Sequence, residues 1–324
     1  MTAHSKKWML SAVALILIMV LSACGTNAQP ESSNKGNSGN TEASASPEAA
    51  SEKIIYRGEE GDIEFSEYPK KVAMLTNTYA GNLLALGITP VAINEYPKEN
   101  KFYEGKLDEV EVITADNVEK LVEIDPDVIV TYTGDKNISK YKEIAPTVVM
   151  SYDKYDYKQQ HLEIGKLVGM EAEAQAWIDE WETKAAAAKE TVFKVVSPDA
   201  TVSIMESYGK DTYIYFKNGS RGTEILYQVL GMKTPPSLKI EENGPPYKAI
   251  SSESIGEYAG DYVFMGEGGS TTKNSFMDTD VWKGLPAVKN NQVIGFDATS
   301  FAYNDPISLE KELTYIVKAL TEQK

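Results

Sequence analysis

The sequence is poor in the residues that build metal centres and catalytic triads. It contains one cysteine, Cys24, and only one histidine, His161, outside the first 23 residues. Disulfide bonds within the chain and metal sites built from clustered Cys and His side chains are therefore excluded. No Gly-x-Ser-x-Gly motif occurs, and His161 has no conspicuous nucleophile beside it, which argues against a hydrolase. We expect His161 to be a surface or half-buried residue rather than a catalyst.

Positive charge is scarce as well. Lysine and arginine together number 32 against 48 acidic residues, which gives a formal net charge of −16. Arginine occurs only twice, as Arg57 and Arg221. Such a chain repels nucleic acid and anionic membrane surfaces, so we exclude both as partners. An anionic ligand would have to be held by positive groups placed locally.

The first 23 residues have the pattern of an export signal. A basic start precedes the apolar run Trp8–Leu21, which is too short for a membrane span. The run ends in Leu21-Ser-Ala-Cys24, which resembles the bacterial lipobox. We expect cleavage before Cys24 and lipid chains on its thiol, which would anchor the protein to the outer face of the cell membrane. An ordinary signal peptide would leave the position of the only cysteine unexplained.

Residues 24–52 follow as the lipidated cysteine and its tether. The stretch Gly25–Glu52 has no large apolar residue and is rich in Ser, Asn, Gly, Glu and Ala. A segment of this composition cannot bury a core, so we predict a flexible tether.

The stretch Glu171–Val196 is predicted to be a long helix. Its 26 residues include no Gly or Pro. Apolar residues recur at steps of three and four, namely Trp177, Trp181, Ala185, Ala188, Val192 and Val195. At 1.5 Å per residue the helix would be roughly 39 Å long. We predict that it joins an N-terminal lobe of residues 53–170 to a C-terminal lobe of residues 197–324. The alternative is a helix that lies on a single domain.

Both flanking regions alternate short strands with helices. The predicted strands are 54–56, 63–65, 71–75, 91–93, 126–130, 147–150, 201–205, 213–216, 261–265 and 292–296. The predicted helices are 79–86, 117–124, 157–168, 223–230, 252–258 and 307–320. The proline-rich stretch Lys233–Lys248 is predicted to be a loop. This alternation predicts α/β lobes with mostly parallel sheets covered on both faces.

Several short segments, in this order and spacing, carry a family resemblance. They are Pro69-Lys-Lys-Val72, Asn82-Leu-Leu-Ala-Leu-Gly-Ile88, Asn117-Val-Glu119 with Pro126-Asp127, Ile144-Ala-Pro-Thr147 and Leu285-Pro-Ala-Val-Lys289. The sequence resembles the substrate-binding lipoproteins of ABC importers for iron–siderophore complexes and vitamin B12. The resemblance covers about residues 69–321 and implies two Rossmann-like lobes joined by one long helix, the helical-backbone periplasmic-binding-protein fold.

Within that family, the C-terminal half is most similar to binders of hydroxamate siderophores. The matching segments are Gly219–Gln228, Tyr258–Asp261, Asn274–Asp280 and Phe301–Pro306. The hydroxamate binders carry a tryptophan two residues before the arginine, and this chain has Gly219 there. The aromatic wall of the site must therefore be built differently.

A ferric siderophore explains the shortage of metal-binding side chains. Ferric iron prefers oxygen ligands, and the siderophore supplies them, so we expect no direct metal ligand in the protein and no cofactor. The protein must instead recognise an organic shell with aliphatic arms and carbonyl or hydroxamate oxygens. Aromatic rings and arginine are suited to this recognition.

Arg221 is the first candidate for ligand binding. A cation at the start of the predicted helix 223–230 opposes the helix dipole, so its presence there requires a reason. The resemblance also implies that it is the arginine of the family's ligand pocket. The alternative is an exposed Arg221 that pairs with Glu224.

Further candidates are aromatic. Tyr213, Tyr215 and Lys217 alternate along a predicted strand and would share one face. Phe301 and Tyr303 would share a face in the segment before Pro306. The resemblance implies that Tyr213 contacts the ligand and that Phe301 and Tyr303 form an aromatic pocket element. In the N-terminal lobe, candidates near predicted strand ends are Tyr79, Tyr96, Tyr132, Tyr152 and Tyr155. With 19 tyrosines in the chain, a core or surface role is the alternative for each.

Glu119 and Glu253 form a second kind of site. They lie early on predicted helices in corresponding places of the two lobes. Complementation of the helix dipole is the simpler interpretation. The resemblance implies that one glutamate from each lobe binds arginines of the permease.

The sequence therefore predicts a monomeric, extracytoplasmic binding protein, not an enzyme. It would capture a ferric hydroxamate siderophore between its lobes and deliver it to the permease and ATPase of an ABC importer. The alternatives are a binder of a catecholate or citrate-type ferric siderophore or of haem, a surface hydrolase, and an adhesive lipoprotein.

Overall fold

Two five-stranded sheets, one before and one after the long central helix in sequence, organise the structure. The structure is a computed structural model that describes residues 53–208, 211–216, 218–239, 244–268 and 275–322. The predicted export signal, Cys24 and the tether lie outside these residues. The predicted α/β fold, with two lobes and one long helix, is confirmed.

The first sheet is entirely parallel, as predicted. Its order is β5-β4-β3-β6-β7. The strands are β3 (Val72–Met74), β4 (Ala92–Ile93), β5 (Glu111–Val112), β6 (Val128–Tyr132) and β7 (Thr147–Met150). An antiparallel hairpin of β1 (Ile54–Gly58) and β2 (Gly61–Phe65) precedes it. Strands β3, β4 and β7 are buried along their whole length, as expected for a sheet covered on both faces.

The second sheet is mixed, and here the prediction of parallel strands was wrong in part. Its order is β10-β9-β8-β11-β12. The strands are β8 (Val202–Tyr208), β9 (Asp211–Tyr215), β10 (Tyr247–Ile250), β11 (Tyr262–Glu267) and β12 (Val293–Asp297). β9 pairs antiparallel with both β8 and β10, whereas β11 pairs parallel with both β8 and β12. The predicted loop Lys233–Lys248 thus ends in a strand.

The helices are short apart from α4, α5 and α9. They are α1 (Ala80–Ala85), α2 (Lys120–Ile124), α3 (Ile138–Ile144), α4 (Tyr157–Val168), α5 (Glu171–Val192), α6 (Ile255–Tyr258), α7 (Asp280–Gly284), α8 (Pro286–Lys289) and α9 (Pro306–Thr321). A π-helix covers Glu224–Val229, where an α-helix was predicted. Within the described ranges, none of these helices is long and apolar enough to cross a membrane.

The central helix α5 is shorter than predicted and ends at Val192 instead of Val196. Residues 193–195 continue as a turn, and Pro198 disfavours helical backbone at Ser197. Val192 and Val196 are both buried, whereas Val195 is exposed and does not continue the apolar face. Trp181 is buried against α4, where its indole N–H donates to the Tyr157 hydroxyl at 3.0 Å.

The C-terminal helix α9 ties the lobes together in addition to α5. Asp305 caps its start by accepting from the N–H groups of Ile307 and Ser308. The same buried carboxylate accepts from the Tyr103 hydroxyl of the first lobe at 2.9 Å. A side chain at Gly81 in α1 would collide with Asp305, so only glycine allows this close approach. The two lobes are therefore joined by a buried polar contact as well as by the central helix.

His161 is fully buried, and the expectation of a surface or half-buried residue was wrong. It lies on α4, where its Nδ1 is 3.2 Å from the Asn82 side-chain oxygen and its ring packs edge-on against Trp177. Burial lowers the pKa of His161 from 6.5 to about 4. The side chain is therefore neutral in the folded protein at neutral pH.

We expect His161 to make folding stability dependent on pH. Between about pH 6.5 and 4 the unfolded chain binds a proton at this position and the folded chain does not, so stability falls as the pH is lowered through this window. From pH 7 to pH 5 the wild type should lose about 2 kcal/mol more than the variant His161→Gln. Urea unfolding at the two pH values measures this difference.

Comparison with the His161→Gln variant separates the contribution of His161 from that of other titrating groups. Burial raises the pKa of Glu224, Asp305 and Glu312, and these carboxyl groups titrate in both proteins. An equal loss of stability in wild type and variant would show that His161 does not titrate in this way.

Candidate functional site

A pocket of about 310 Å³ lies at the carboxyl ends of the strands in the first sheet. Asn77 follows β3, Asn94 and Tyr96 follow β4, and Tyr132 ends β6. The Asn94 amide donates to the side-chain oxygen of Asn77 at 2.6 Å and to the carbonyl of Leu75 at 3.2 Å. Open α/β sheets bind ligands at this end of their strands.

Three of the predicted tyrosines pack together beside this pocket. The Tyr152 ring lies 5.5 Å from the Tyr79 ring and 5.3 Å from the Tyr132 ring. The backbone N–H of Asn77 donates to the Tyr152 hydroxyl at 2.9 Å. Tyr79 is fully buried, whereas Tyr152 remains 40% exposed and Tyr132 partly exposed. Tyr79 therefore supports the Tyr152 ring and offers no surface to a ligand in this conformation.

Tyr155 lies elsewhere. It lines a separate pocket of about 750 Å³ together with Tyr56 and Tyr68, near the N-terminal hairpin. Its ring packs against the core of the first lobe. The Lys154 ammonium lies 5.0 Å from the centre of this ring. Tyr155 therefore lines neither the pocket of the first sheet nor the tyrosine pocket of the second lobe.

The second lobe carries a surface of four tyrosines. Tyr213 and Tyr215 alternate along β9, as predicted, and β10 places Tyr247 opposite Tyr215. Tyr213 packs against Tyr208 and Tyr247 with ring centroids 5.9 and 5.8 Å apart. These four rings line a pocket of about 250 Å³. Lys217, the third residue predicted for this face, lies outside the described residues.

Arg221 extends the tyrosine surface. Its guanidinium lies 4.7 Å from the centre of the Tyr215 ring, and its Nε donates to the Glu206 carboxylate at 3.1 Å. Glu206 is fully buried and also accepts from the Tyr208 hydroxyl. Burial lowers the pKa of Arg221, but the Glu206 carboxylate and the neighbouring tyrosines raise it by more. The guanidinium therefore stays charged, with part of its surface free.

The alternative pairing of Arg221 with Glu224 is wrong. The Glu224 carboxylate is buried and accepts instead from the Ser220 N–H at 3.3 Å and the Thr223 hydroxyl at 3.0 Å. Ser220, Arg221 and Gly222 all have positive φ, so Arg221 lies in a left-handed turn before the π-helix and not at a helix start. A non-glycine residue in this region costs about 1 kcal/mol or more, which indicates that the surrounding bonds hold Arg221 in place.

Phe301 and Tyr303 do not share a face, and this prediction was wrong. Ser300–Ala302 is a short 3₁₀ turn, so residues two apart do not point the same way. Phe301 is 2% exposed and packs among Phe102, Phe296 and Tyr315 in the core of the second lobe. In this conformation its ring is closed off from a ligand.

Tyr303 instead connects the two lobes. It is 4% exposed, and its hydroxyl donates to the backbone carbonyl of Tyr96 at 2.7 Å. Burial raises the pKa of Tyr303, and the nearby Arg221 charge opposes this shift. Tyr96 itself is 51% exposed and lines the pocket of the first lobe. Tyr303 thus connects the second lobe to a residue that lines the pocket of the first lobe.

Sequence reasoning missed three residues of the second lobe's surface. Glu206 is a carboxylate within the otherwise uncharged strand β8, and such a placement could have signalled a buried ion pair. Tyr208 ends the same strand. Tyr247 lies in the predicted loop Lys233–Lys248, so no pattern in the sequence indicated that it faces Tyr215 across two strands. Within the described part of the chain, no group of three or more His, Cys, Asp or Glu side chains is placed to hold a metal ion.

Glu119 and Glu253 both lie at helix starts on the surface. Glu119 occupies the position before the first residue of α2, and Glu253 lies two residues before α6. Both side chains are exposed, and neither lines the two pockets. Their role in docking stays a prediction.

Comparisons with known proteins agree on one family. The sequence profile described as "Periplasmic binding protein" matches residues 72–299. The chain is 38% identical to the iron(3+)-hydroxamate-binding protein FhuD of Bacillus subtilis, over 99% of this chain and 100% of that protein. It is 33% identical to a second B. subtilis iron(3+)-hydroxamate-binding protein, YxeB, over 98% of each chain.

A solved structure is similar as well. The structure of FhuD2 from Staphylococcus aureus with bound ferrioxamine B superimposes with a TM-score of 0.74 at 35% identity. The match covers 78% of this chain and 99% of that chain.

Proposed function

Because the chain belongs to the family of periplasmic binding proteins, we propose that it is the substrate-binding component of an ABC importer for ferric hydroxamate siderophores. The observation that carries the proposal is the pair of aromatic surfaces, one in each lobe. The two surfaces form the walls of the binding cleft in this proposal. Similarity to the hydroxamate-binding relatives supports it over the whole length of the chain.

The surfaces suit a siderophore shell. The exposed parts of Tyr132 and Tyr152 in the first lobe, and of Tyr213 and Tyr247 in the second, provide rigid apolar area for aliphatic arms. The guanidinium of Arg221, whose side chain is 21% exposed, provides donors for carbonyl or hydroxamate oxygens. The siderophore oxygens hold the ferric ion, so the protein contributes neither a metal ligand nor a cofactor. We assign no catalytic step to these residues.

The charge of the second surface favours a hydroxamate over a catecholate. Arg221 is the one arginine on this surface, and the buried Glu206 already balances its charge. From the described residues of this surface, a trianionic ferric catecholate would therefore meet little net positive charge, whereas a neutral or weakly charged ferric hydroxamate requires none. Lys217, the other cation predicted for this face, lies outside the described residues. This balance is the reason for preferring the hydroxamate class.

The proposal also includes docking to the permease and a lipid anchor in the cell membrane. Glu119 and Glu253 dock onto the permease, and lipid chains on Cys24 keep the monomeric protein at the outer face of the cell membrane. The exposure of both glutamates supports the docking role, and the extracytoplasmic family supports the location.

The substrate class is tested by titration of the purified protein without its export signal. Ferric ferrioxamine B, ferrichrome, a ferric catecholate and ferric citrate are added while tryptophan fluorescence is followed. We expect saturable quenching by one or both hydroxamates at micromolar concentrations or below, and at least about 100-fold weaker binding of the other two, equivalent to about 2.7 kcal/mol. Tight quenching by the catecholate or by citrate alone would contradict the hydroxamate assignment.

A further inference from the structure

The turn of the N-terminal hairpin contacts the first lobe next to its tyrosine cluster. β1 and β2 pair up to Gly58 and Gly61, which leaves Glu59 and Glu60 at the turn. Both glutamates reach the first lobe, but in different ways. Glu60 pairs with Lys142 on the surface at 2.7 Å and is about half exposed. The Glu59 side chain is only 14% exposed.

The Glu59 carboxylate binds Ser151 through both oxygens. One oxygen accepts from the Ser151 backbone N–H at 3.0 Å, and the other accepts from the Ser151 hydroxyl at 2.8 Å. The Lys154 ammonium lies 3.8 Å from the second oxygen. Hydrogen bonds to an ionised acceptor are shorter and stronger than neutral ones, and a two-point contact also fixes direction. Glu59 therefore holds the first residue after β7 in one place.

Ser151 is in turn connected to the aromatic cluster. Its hydroxyl bonds with that of Thr133 at 3.0 Å, and its carbonyl accepts from the buried Tyr79 hydroxyl at 3.4 Å. The next residue, Tyr152, packs against Tyr79 and Tyr132 and keeps part of its ring exposed. A shift of Ser151 would therefore move the Tyr152 ring directly.

We infer that Glu59 is a positioning residue for the ligand site, which acts by fixing Ser151 and through it the ring of Tyr152. The inference rests on the proposed function, since it takes Tyr152 as a contact of the siderophore. It assigns a role in ligand affinity to a hairpin that lines neither of the two pockets. Small displacements of a supporting group are enough to weaken a preorganised site.

The test compares Glu59→Gln with Glu60→Gln, a matched substitution in the same turn. Glutamine has the size of glutamate but no charge, so both contacts to Ser151 become neutral hydrogen bonds and the pairing with Lys154 is lost. We expect the Kd for ferric ferrioxamine B to rise about tenfold for Glu59→Gln and to stay unchanged for Glu60→Gln. Ser151→Ala, which removes only the hydroxyl, should weaken binding in the same direction by a smaller factor.

A positioning role is separated from general destabilisation by repeating the measurement in a Tyr152→Ala background. If Glu59 acts through Tyr152, Glu59→Gln should change the Kd little in that background, whereas its effect on melting temperature should be the same with and without Tyr152. A tenfold loss of affinity in both backgrounds, or none in either, would overturn the inference. If the wild type binds no ferric hydroxamate at all, the proposed function fails instead.

Discussion

Substitution of Arg221 by glutamine should weaken the binding of ferric ferrioxamine B by about 100-fold, because it removes charge-assisted hydrogen bonds of about 2–3 kcal/mol from the site. The guanidinium lies over Tyr215, at the edge of the surface that Tyr213 and Tyr247 continue. Arg57→Gln is the control, since Arg57 is the other arginine of the chain and is exposed on the hairpin. It should bind like the wild type in the same fluorescence titration.

The same substitution should also lower stability, since it leaves the Glu206 carboxylate buried without its cation. Loss of one partner of a buried ion pair costs about 3 kcal/mol or more. Adding Glu206→Gln removes the unpaired charge, so the double variant should recover most of this stability in urea unfolding. Its affinity should remain low, because the guanidinium is still missing. A double variant that binds as tightly as the wild type would show that Arg221 supports the fold and does not contact the ligand.

The fold was predictable where local signals and the long-range structure agree. Helix α4 begins and ends at the predicted residues. Asp156 before the helix and Gln159 in its first turn form a capping box, and Gly169 closes the helix in the left-handed conformation. The buried apolar strand β7 was also predicted with its observed bounds. Helix caps and apolar runs are formed by residues adjacent in the sequence, so they can be identified without knowledge of the tertiary structure.

Other parts of the fold depend on contacts that the sequence does not display. Strand β10 follows Pro245 and Pro246 and forms only because β9 offers it an edge. The turn at Arg221 is left-handed because the Glu224 carboxylate and the Phe301 carbonyl bind its backbone from other elements. Local propensity gives no sign of these partners, so tertiary contacts decide the structure there.

For the candidate site, the sequence predicted which residue types are present better than it predicted which of them are accessible to a ligand. Tyr213 and Tyr215 share a face because the strand period places them there, and this inference used no tertiary information. Tyr79 and Phe301 are chemically suited to a ligand but are buried, which only the packed core determines. The support that Glu59 gives to Ser151 joins residues 92 positions apart. No local pattern could have indicated it.

Reversal of charge at both docking positions should separate ligand binding from transport. We expect Glu119→Arg combined with Glu253→Arg to keep the ferrioxamine B affinity of the wild type and to abolish uptake of the siderophore by cells. Both side chains are exposed and outside the two pockets, so the site and the fold should be unaffected. The expected effect on transport is large because the substitutions replace two attractive charge pairs with repulsive ones, each costing several kcal/mol at an interface.

A matched variant controls for the change in net charge. Glu180→Arg combined with Glu190→Arg introduces the same charge on the exposed side of α5. Cells that lack their own copy of the protein and carry this control should take up ⁵⁵Fe-labelled ferrioxamine B at the wild-type rate. Wild-type uptake by the Glu119→Arg/Glu253→Arg variant would show that the two glutamates only complement their helix dipoles. If uptake is lost in both variants, global charge is responsible and the docking assignment fails. If it is lost only in the first, the two helix starts are the surfaces that meet the permease.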